Sequence, residues 1–388
     1  MTEAAPLTIG VVAGEASGDL LGAHLIRALR ARLPKAHFTG IGGPRMQSAG
    51  MEVLYPMEKL AVRGYVEVLR HYSEILGIRR RLAARFIKQP PALFVGVDAP
   101  DFNLDLELKL KSAGIPTAHL VSPSIWAWRG ERIDKIRRAV ERMLVIFPFE
   151  QDIYEKAGIP ATYIGHPLAE MLTPSTDRAA AREQLRLPIA AKVIALLPGS
   201  RLSEVGQMAD TFIETARQIA AAVPDAQFLV PLVNRGTRDL FETALYRREA
   251  GALNLTILFG HGHEAMAAAD VVLAASGTAT LEAALIGRPM VIAYRMPRVS
   301  WWIMSNRRYQ PYVGLPNILA GEFIVPEFLQ DEATPENLSQ AVLNLLFDGT
   351  ARTRLEARFA AMARELRQDS AERMASALVP MVRIGAAA

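Results

Sequence analysis

The chain of 388 residues contains no cysteine, so it has no disulfide framework and no thiolate metal site, a usage that fits a reducing compartment. It also lacks any uninterrupted apolar run near the ~20 residues that a membrane-spanning helix needs, so membrane contact is expected to be peripheral. Charge of one sign is scarce too. Lys plus Arg number 44 against 40 Asp plus Glu, a surplus of +4 that is too mild to call for nucleic acid and suits an anionic ligand or an anionic membrane surface. None of the seven histidines stands in a His-Glu-x-x-His arrangement, so no protein-bound metal is expected, nor any other cofactor. The stretch Met1 to Ala13 carries Glu3 and misses both the basic start and the long apolar core of a signal peptide, which points to the cytoplasm.

What is present is the composition of a packed protein, 51% hydrophobic and 22% charged, at a length that suits two domains. Leu7 to Ala13 reads as a strand, followed by Gly14-Glu15-Ala16-Ser17-Gly18-Asp19 and a helical pattern through Leu20, Leu21, Leu25, Ile26 and Leu29. Apolar strands recur at Phe38 to Ile41, Leu93 to Val97, Thr117 to Val121 and Met143 to Phe147. A second series runs through Val193 to Leu197, Gln227 to Val230, Leu255 to Leu258, Val271 to Leu273 and Met290 to Tyr294. Strands alternating with helical patterns predict an α/β chain of two doubly wound parallel sheets, over residues 1–172 and 173–364, facing each other across a cleft. Residues 365–388 read as helices that could pack back on the first domain.

Several stretches could carry chemistry. Residues just past a strand's carboxyl end line the ligand crevice of an open α/β sheet, and Gly96-Val97-Asp98-Ala99-Pro100-Asp101-Phe102-Asn103 delivers two acids and an amide to that edge. Asp before a turn also caps backbone amides, so both readings of Asp98 stand. The Gly14 to Gly18 turn lacks the lysine of a phosphate loop, and Ser17 and Asp19 can equally cap a helix. Leu197-Pro198-Gly199-Ser200-Arg201 puts an arginine after a strand, where it could grip a diphosphate or pair with Glu204 on the surface. In Ala275-Ser276-Gly277-Thr278-Ala279-Thr280, small residues enter a helix whose amides and hydroxyls suit an anion. Glu282 beyond it suits a ribose diol, or is a first-turn acid favoured by the helix dipole. All four tryptophans fall in two doublets, Trp126/Trp128 and Trp301/Trp302, the latter near Arg307 and Arg308, which suits a functional surface or core packing. The segment Leu60 to Ile87 mixes Val66, Val68, Leu69 and Leu76 with Arg79, Arg80 and Arg81, suiting a membrane interface or an ordinary amphipathic helix on the core.

Taken together, GEASGD at Gly14 to Asp19, GVDAPDFN at Gly96 to Asn103, SPSIWAWR at Ser122 to Arg129, LLPGSR at Leu196 to Arg201, ASGTATLE at Ala275 to Glu282 and LPNILAG at Leu315 to Gly321 closely resemble the lipid-A-disaccharide synthase family, in the same order and over nearly the whole chain. The resemblance implies an inverting glycosyltransferase of GT-B architecture that joins UDP-2,3-diacylglucosamine to 2,3-diacylglucosamine 1-phosphate through a β-1,6 bond and releases UDP. It implies Asp98 as general base and Arg201 with the Ser276 to Thr280 helix start (Ser276, Gly277, Thr278, Ala279, Thr280) as the hold on UDP. Asn317 would orient the donor, with Ser17 and Glu282 as further substrate contacts. Asp101 and Asn103 would shape the Asp98 turn. The acylated donor and acceptor make Val66, Val68, Leu69, Leu76, Trp301, Trp302 and Arg307 candidates for acyl-chain or membrane contact, at the cytoplasmic face of the inner membrane. A homodimer stays open at this point, as do another UDP-sugar enzyme of the same fold and a non-catalytic lipid or nucleotide-sugar binding module.

Overall fold

The computed structural model describes residues 7–60, 65–127, 130–172, 178–275, 277–298, 301–302 and 309–383, the side chains of residues 65–72 excepted. The chain divides into two compact units, Met1–Glu170 with Leu366–Ala388, and Met171–Glu365.

The first unit is built on a seven-stranded sheet in the order β3-β2-β1-β4-β5-β6-β7, all pairs parallel. Its strands are β1 (Thr8–Ala13), β2 (His37–Gly42), β3 (Met51–Pro56), β4 (Leu93–Val97), β5 (Thr117–Leu120), β6 (Arg142–Val145) and β7 (Ala161–Tyr163). The helices include α1 (Ala16–Arg32), α2 (Pro44–Ser48), α3 (Tyr65–Lys88), α4 (Pro100–Ser112), α5 (Ile133–Ala139) and α6 (Pro148–Lys156). Every residue of β4 is buried, which is why it reads as an unbroken apolar run, the mark of a parallel strand covered on both faces. Ile78, Leu82, Ala83 and Phe86 of α3 pack on Phe94, Phe102, Leu106 and Leu110, so much of that helix's apolar face belongs to the core. The helix Ser370–Leu378 returns to α1, where Arg32 meets Glu372 at 2.5 Å and His24 meets Ser370 at 2.9 Å.

The second unit carries a six-stranded parallel sheet ordered β10-β9-β8-β11-β12-β13. Its strands are β8 (Val193–Leu197), β9 (Gln227–Leu232), β10 (Leu255–Phe259), β11 (Val271–Ala275), β12 (Met290–Tyr294) and β13 (Glu327–Leu329). The helix α7 (Pro167–Met171) belongs to the first unit up to Glu170, and the helices of the second unit include α8 (Arg178–Gln184), α9 (Leu202–Ala222), α10 (Arg235–Arg247), α11 (Gly262–Ala268) and α12 (Thr278–Ile286). The strands that sequence patterning passes over, β3, β7 and β13, contain intermediate or exposed residues at most positions, and two of them are three residues long. Short, half-covered edge strands carry little apolar signal. Among the described residues no helix is long and apolar enough to cross a membrane.

Candidate active site

In an open doubly wound sheet the ligand crevice lies where the strand order reverses, outside the carboxyl ends of the two central strands. In the first unit those strands are β1 and β4, which are direct neighbours. Asp98 follows β4 and stands in the left-handed region at φ +51°, with Ala99 beside it at φ +44°. Such a conformation costs of order 1 kcal/mol or more per non-glycine residue and persists only where the surroundings impose it. They do so here through Asn103, which is completely buried and donates from Nδ2 to the carbonyls of Asp98 at 2.8 Å and Val12 at 3.2 Å. The Asp98 amide in turn donates to the Leu120 carbonyl at 2.9 Å. The Asp98 side chain is left half-buried at the strand edge. Asp101 is a surface residue paired with Arg132 at 2.5 Å.

The β1–α1 turn touches this one, since a methyl group on Gly14 would stand 2.9 Å from Ala99 Cβ. Ser17 is exposed at the start of α1, and no side chain caps that helix. Asp19, offered above as a cap for its own helix, serves another: it is buried and accepts from the amides of Gly43, Arg45 and Met46 at 2.9 to 3.0 Å, closing the start of α2.

Beside Asp98, the β5 and β6 ends hold an aromatic cluster. Trp126 donates from Nε1 to Glu150 Oε1 at 2.8 Å and meets Phe149 edge-on at 5.2 Å. Phe147 stacks on Phe149 and packs against His166. Burial pushes the Glu150 carboxyl up to about 7 against the pull of its hydrogen bonds, and burial pushes His166 down to about 4. Val121 at φ +80° and Ser124 at φ +50° make this a second strained turn. Glu150 carries no motif signal, because its acidity is altered by neighbours distant in sequence.

In the second unit the order reverses between β8 and β11. Arg201 follows β8 and pairs with Glu204 at 3.0 Å, with half of its side chain exposed. Glu204 Oε2 also accepts from the Ser200 and Arg201 amides at 2.9 and 3.2 Å, the acid half of a capping arrangement for α9. Gly199 is obligatory, since it stands at φ +129° and a methyl group there would meet Glu204 Cβ at 2.4 Å. Tyr294, at the end of β12, feels Glu204 and Arg201 electrostatically, and burial first and Glu204 second hold its hydroxyl protonated.

After β11, Gly277 caps α12, and Thr278 is exposed while Ala279 is intermediate. Thr280 is buried and its hydroxyl donates to the Gly277 carbonyl at 2.8 Å, a bond that holds the turn. Glu282 is half-buried, with Oε2 3.0 Å from His263 Nε2. Asn317 is completely buried, and its amide donates to Val325 O and Glu327 Oε1 while accepting from the Ile324 and Val325 amides. Those four bonds use its whole hydrogen-bonding capacity in this arrangement, so it holds the 324–327 loop.

Ser276, Arg307 and the side chains of Val66, Val68 and Leu69 lie outside the described residues. Leu76 is half-buried, and Trp302 is 68% exposed. Arg79 is held in the fold by Asp105 at 2.7 Å and lies over the Phe102 ring, whereas Arg80 and Arg81 are exposed.

A family model described as lipid-A-disaccharide synthetase matches residues 9–381. The chain belongs to the lipid-A-disaccharide synthase family. The lipid-A-disaccharide synthase of Methylobacillus flagellatus is 55% identical over 97% of this chain and 100% of its own length. That of Aromatoleum aromaticum is 56% identical over 96% of this chain and 95% of its own. Membership makes the chain a glycosyltransferase of lipid A biosynthesis. Among solved structures, the kitacinnamycin glycotransferase aligns with a TM-score of 0.66 at 19% identity, covering 98% of this chain and 100% of that one. Anabaena HepE, solved with UDP and glucose, aligns at 0.58 and 14% identity over 96% and 98% of the two chains. At those identities the likeness carries the fold, two parallel-sheet α/β domains of GT-B type, for this member of the lipid-A-disaccharide synthases.

Proposed function

We propose that the chain joins UDP-2,3-diacylglucosamine to 2,3-diacylglucosamine 1-phosphate, giving the β-1,6-linked disaccharide 1-phosphate and UDP. The observation that carries this reading is the Asp98 turn, a strained carboxylate held by a buried amide at the strand-order reversal of the first unit. An α-linked donor and a β-linked product call for one displacement with inversion. Asp98 takes the proton of the acceptor's 6-hydroxyl as that oxygen attacks the anomeric carbon, and the bond from that carbon to the diphosphate oxygen breaks, its electron pair leaving with UDP. Ser17 is assigned to the acceptor side.

The departing diphosphate is assigned to the second unit, to Arg201 and the start of α12 at Gly277, Thr278 and Ala279, with Ser276, the residue before them in sequence, as a further candidate. Releasing Arg201, whose side chain is half-exposed, from Glu204 costs on the order of 1 kcal/mol, whereas each charge-assisted bond to phosphate returns about 1.5–3 kcal/mol. The exchange favours the diphosphate. Glu282 receives the ribose diol beside its bond to His263, and Thr280 and Asn317 act by holding the turns around the donor.

Disaccharide and UDP formation by wild type and Asp98→Ala tests the base. The variant is expected to fold, to bind UDP normally and to lose at least about 100-fold in kcat; full activity would remove Asp98 from the role. For the acyl chains the proposal is peripheral contact with the cytoplasmic face of the inner membrane through the outer side of α3 and through Trp301 and Trp302. Arg80→Glu with Arg81→Glu is then expected to weaken sedimentation with anionic vesicles, and unchanged binding would discard the basic part of that surface. Arg79 is left out because Asp105 already holds it.

A further inference from the structure

Behind the Asp98 turn lies a pair of ionisable groups that the mechanism above leaves unused. Glu107 and His119 are completely buried, with Glu107 Oε1 2.7 Å from His119 Nδ1. Glu107 stands one helical turn beyond Asn103 on α4, so the two share a helix face. His119 lies in β5 directly opposite Gly96 of β4, two residues before Asp98. A methyl group on Gly96 would stand 2.1 Å from Glu107 Oε1 and 3.0 Å from Asn103 Cβ, so the strand gives way to this pair. Asn103 Oδ1, Glu107 Oε2 and His119 Nε2 are all buried without a hydrogen-bond partner.

Stability alone is a poor reason for such a cluster. Burying a charge costs several kcal/mol, and apolar residues of equal volume serve a core as well or better. We propose that Glu107 and His119 are positioning residues for Asp98: the hydrogen-bonded pair backs the strand end, and with Asn103 it holds the Asp98 carboxylate aimed at the acceptor. The inference rests on Asp98 being the base.

Burial opposes the charged imidazole, but the Glu107 carboxylate and its hydrogen bond, followed by the charge of Asp98, overcome it and raise the proton affinity of His119. The attraction between His119 and Asp98 is mutual. The other acids of α4 are engaged elsewhere, Asp101 with Arg132 and Asp105 with Arg79 and Lys135. On the neighbouring β6, Arg142 bonds to Thr162.

The test follows disaccharide formation by full-length wild type, His119→Gln, Glu107→Gln, Asp98→Asn and the His119→Gln/Asp98→Asn pair, from about pH 6 to about pH 9. His119→Gln is expected to lower kcat about 100-fold with KM for both substrates nearly unchanged. The variant should add little to the loss in Asp98→Asn. A folded His119→Gln with wild-type kcat overturns the inference, and so does a loss that adds in full to that of Asp98→Asn. An inactive Asp98→Asn beside an unaffected His119→Gln removes this inference alone, whereas a fully active Asp98→Asn removes the base reading itself. Because a buried substitution can unfold the chain, imidazole nitrogen NMR of wild type and Asp98→Asn supplies a second readout. One histidine of raised proton affinity is expected to lose part of it in the variant, and no responding histidine would refute the coupling.

Discussion

Single residues show how far side-chain type constrains role. An acid, an arginine and an amide after strand ends are legible as site candidates, yet their partners decide what each does. Arg201 rests on Glu204, Glu282 meets His263, and Asn317 spends its whole amide on the 324–327 loop. The Arg201–Glu204 pair, three residues apart, is readable locally, but no local pattern states the other two, because the partners of Glu282 and Asn317 arrive from another helix or from across a turn. Two buried titrating groups give a test at this scale. Glu150 is raised to about 7, so between its ordinary value and 7 the folded state binds more protons than the unfolded chain, and stability falls as pH rises through that window. The loss amounts to about 3 kcal/mol. His166 is lowered to about 4, so its contribution is complete above its ordinary value and is lost as pH falls from about 6.5 toward 4. The two slopes oppose each other where the windows overlap, from about 4.5 to about 6.5, so urea midpoints of wild type should change little across this range. Glu150→Gln should leave the His166 slope alone, midpoints rising from about pH 4 to 6.5, and His166→Gln should leave the Glu150 slope, midpoints falling from about pH 4.5 to 7; variants as flat as wild type would show that folding shifts neither group.

At the scale of elements, the apolar runs and glycine turns announce the central strands and the helices after them, because those strands are buried on both faces. The edges are less legible, since β3, β7 and β13 expose part of their surface. Helix starts are the other gap. Asp19 sits in the first turn of α1, the usual place for an acid serving its own helix dipole, yet its carboxylate closes the start of α2 through three amides. Asp19→Ala should therefore cost about 3 kcal/mol, read as a lower urea midpoint for the first unit, with Asp19→Asn recovering part of it. A loss of only a few tenths would mean that the three amides find other partners. Gly199 makes the corresponding point in the second unit, where any side chain both adopts a disfavoured backbone and strikes Glu204. For α3, helical periodicity alone leaves open what covers its apolar face. Ile78, Leu82 and Phe86 are covered by the core of the first unit.

For the whole molecule, the return of the helix Ser370–Leu378 makes the first unit discontinuous, with Met374 and Leu378 buried and Arg32 bound to Glu372. Removing residues 366–388 should lower the melting temperature of the first unit and expose α1 to proteolysis, while the second unit's transition stays in place; a truncated chain that melts as wild type does would show the helix to be dispensable. The order of apolar runs and glycine turns by itself determined two parallel α/β sheets and the strand ends that carry Asp98 and Arg201, since burial on both faces and sharp turns leave their mark in local composition. Tertiary structure alone decided which groups meet. It set Glu107 against His119 beneath Asp98, Asp19 against α2 and Asn317 against its loop, because hydrogen bonds and charge pairs are satisfied by proximity in space, and proximity between distant segments leaves no mark in either segment alone.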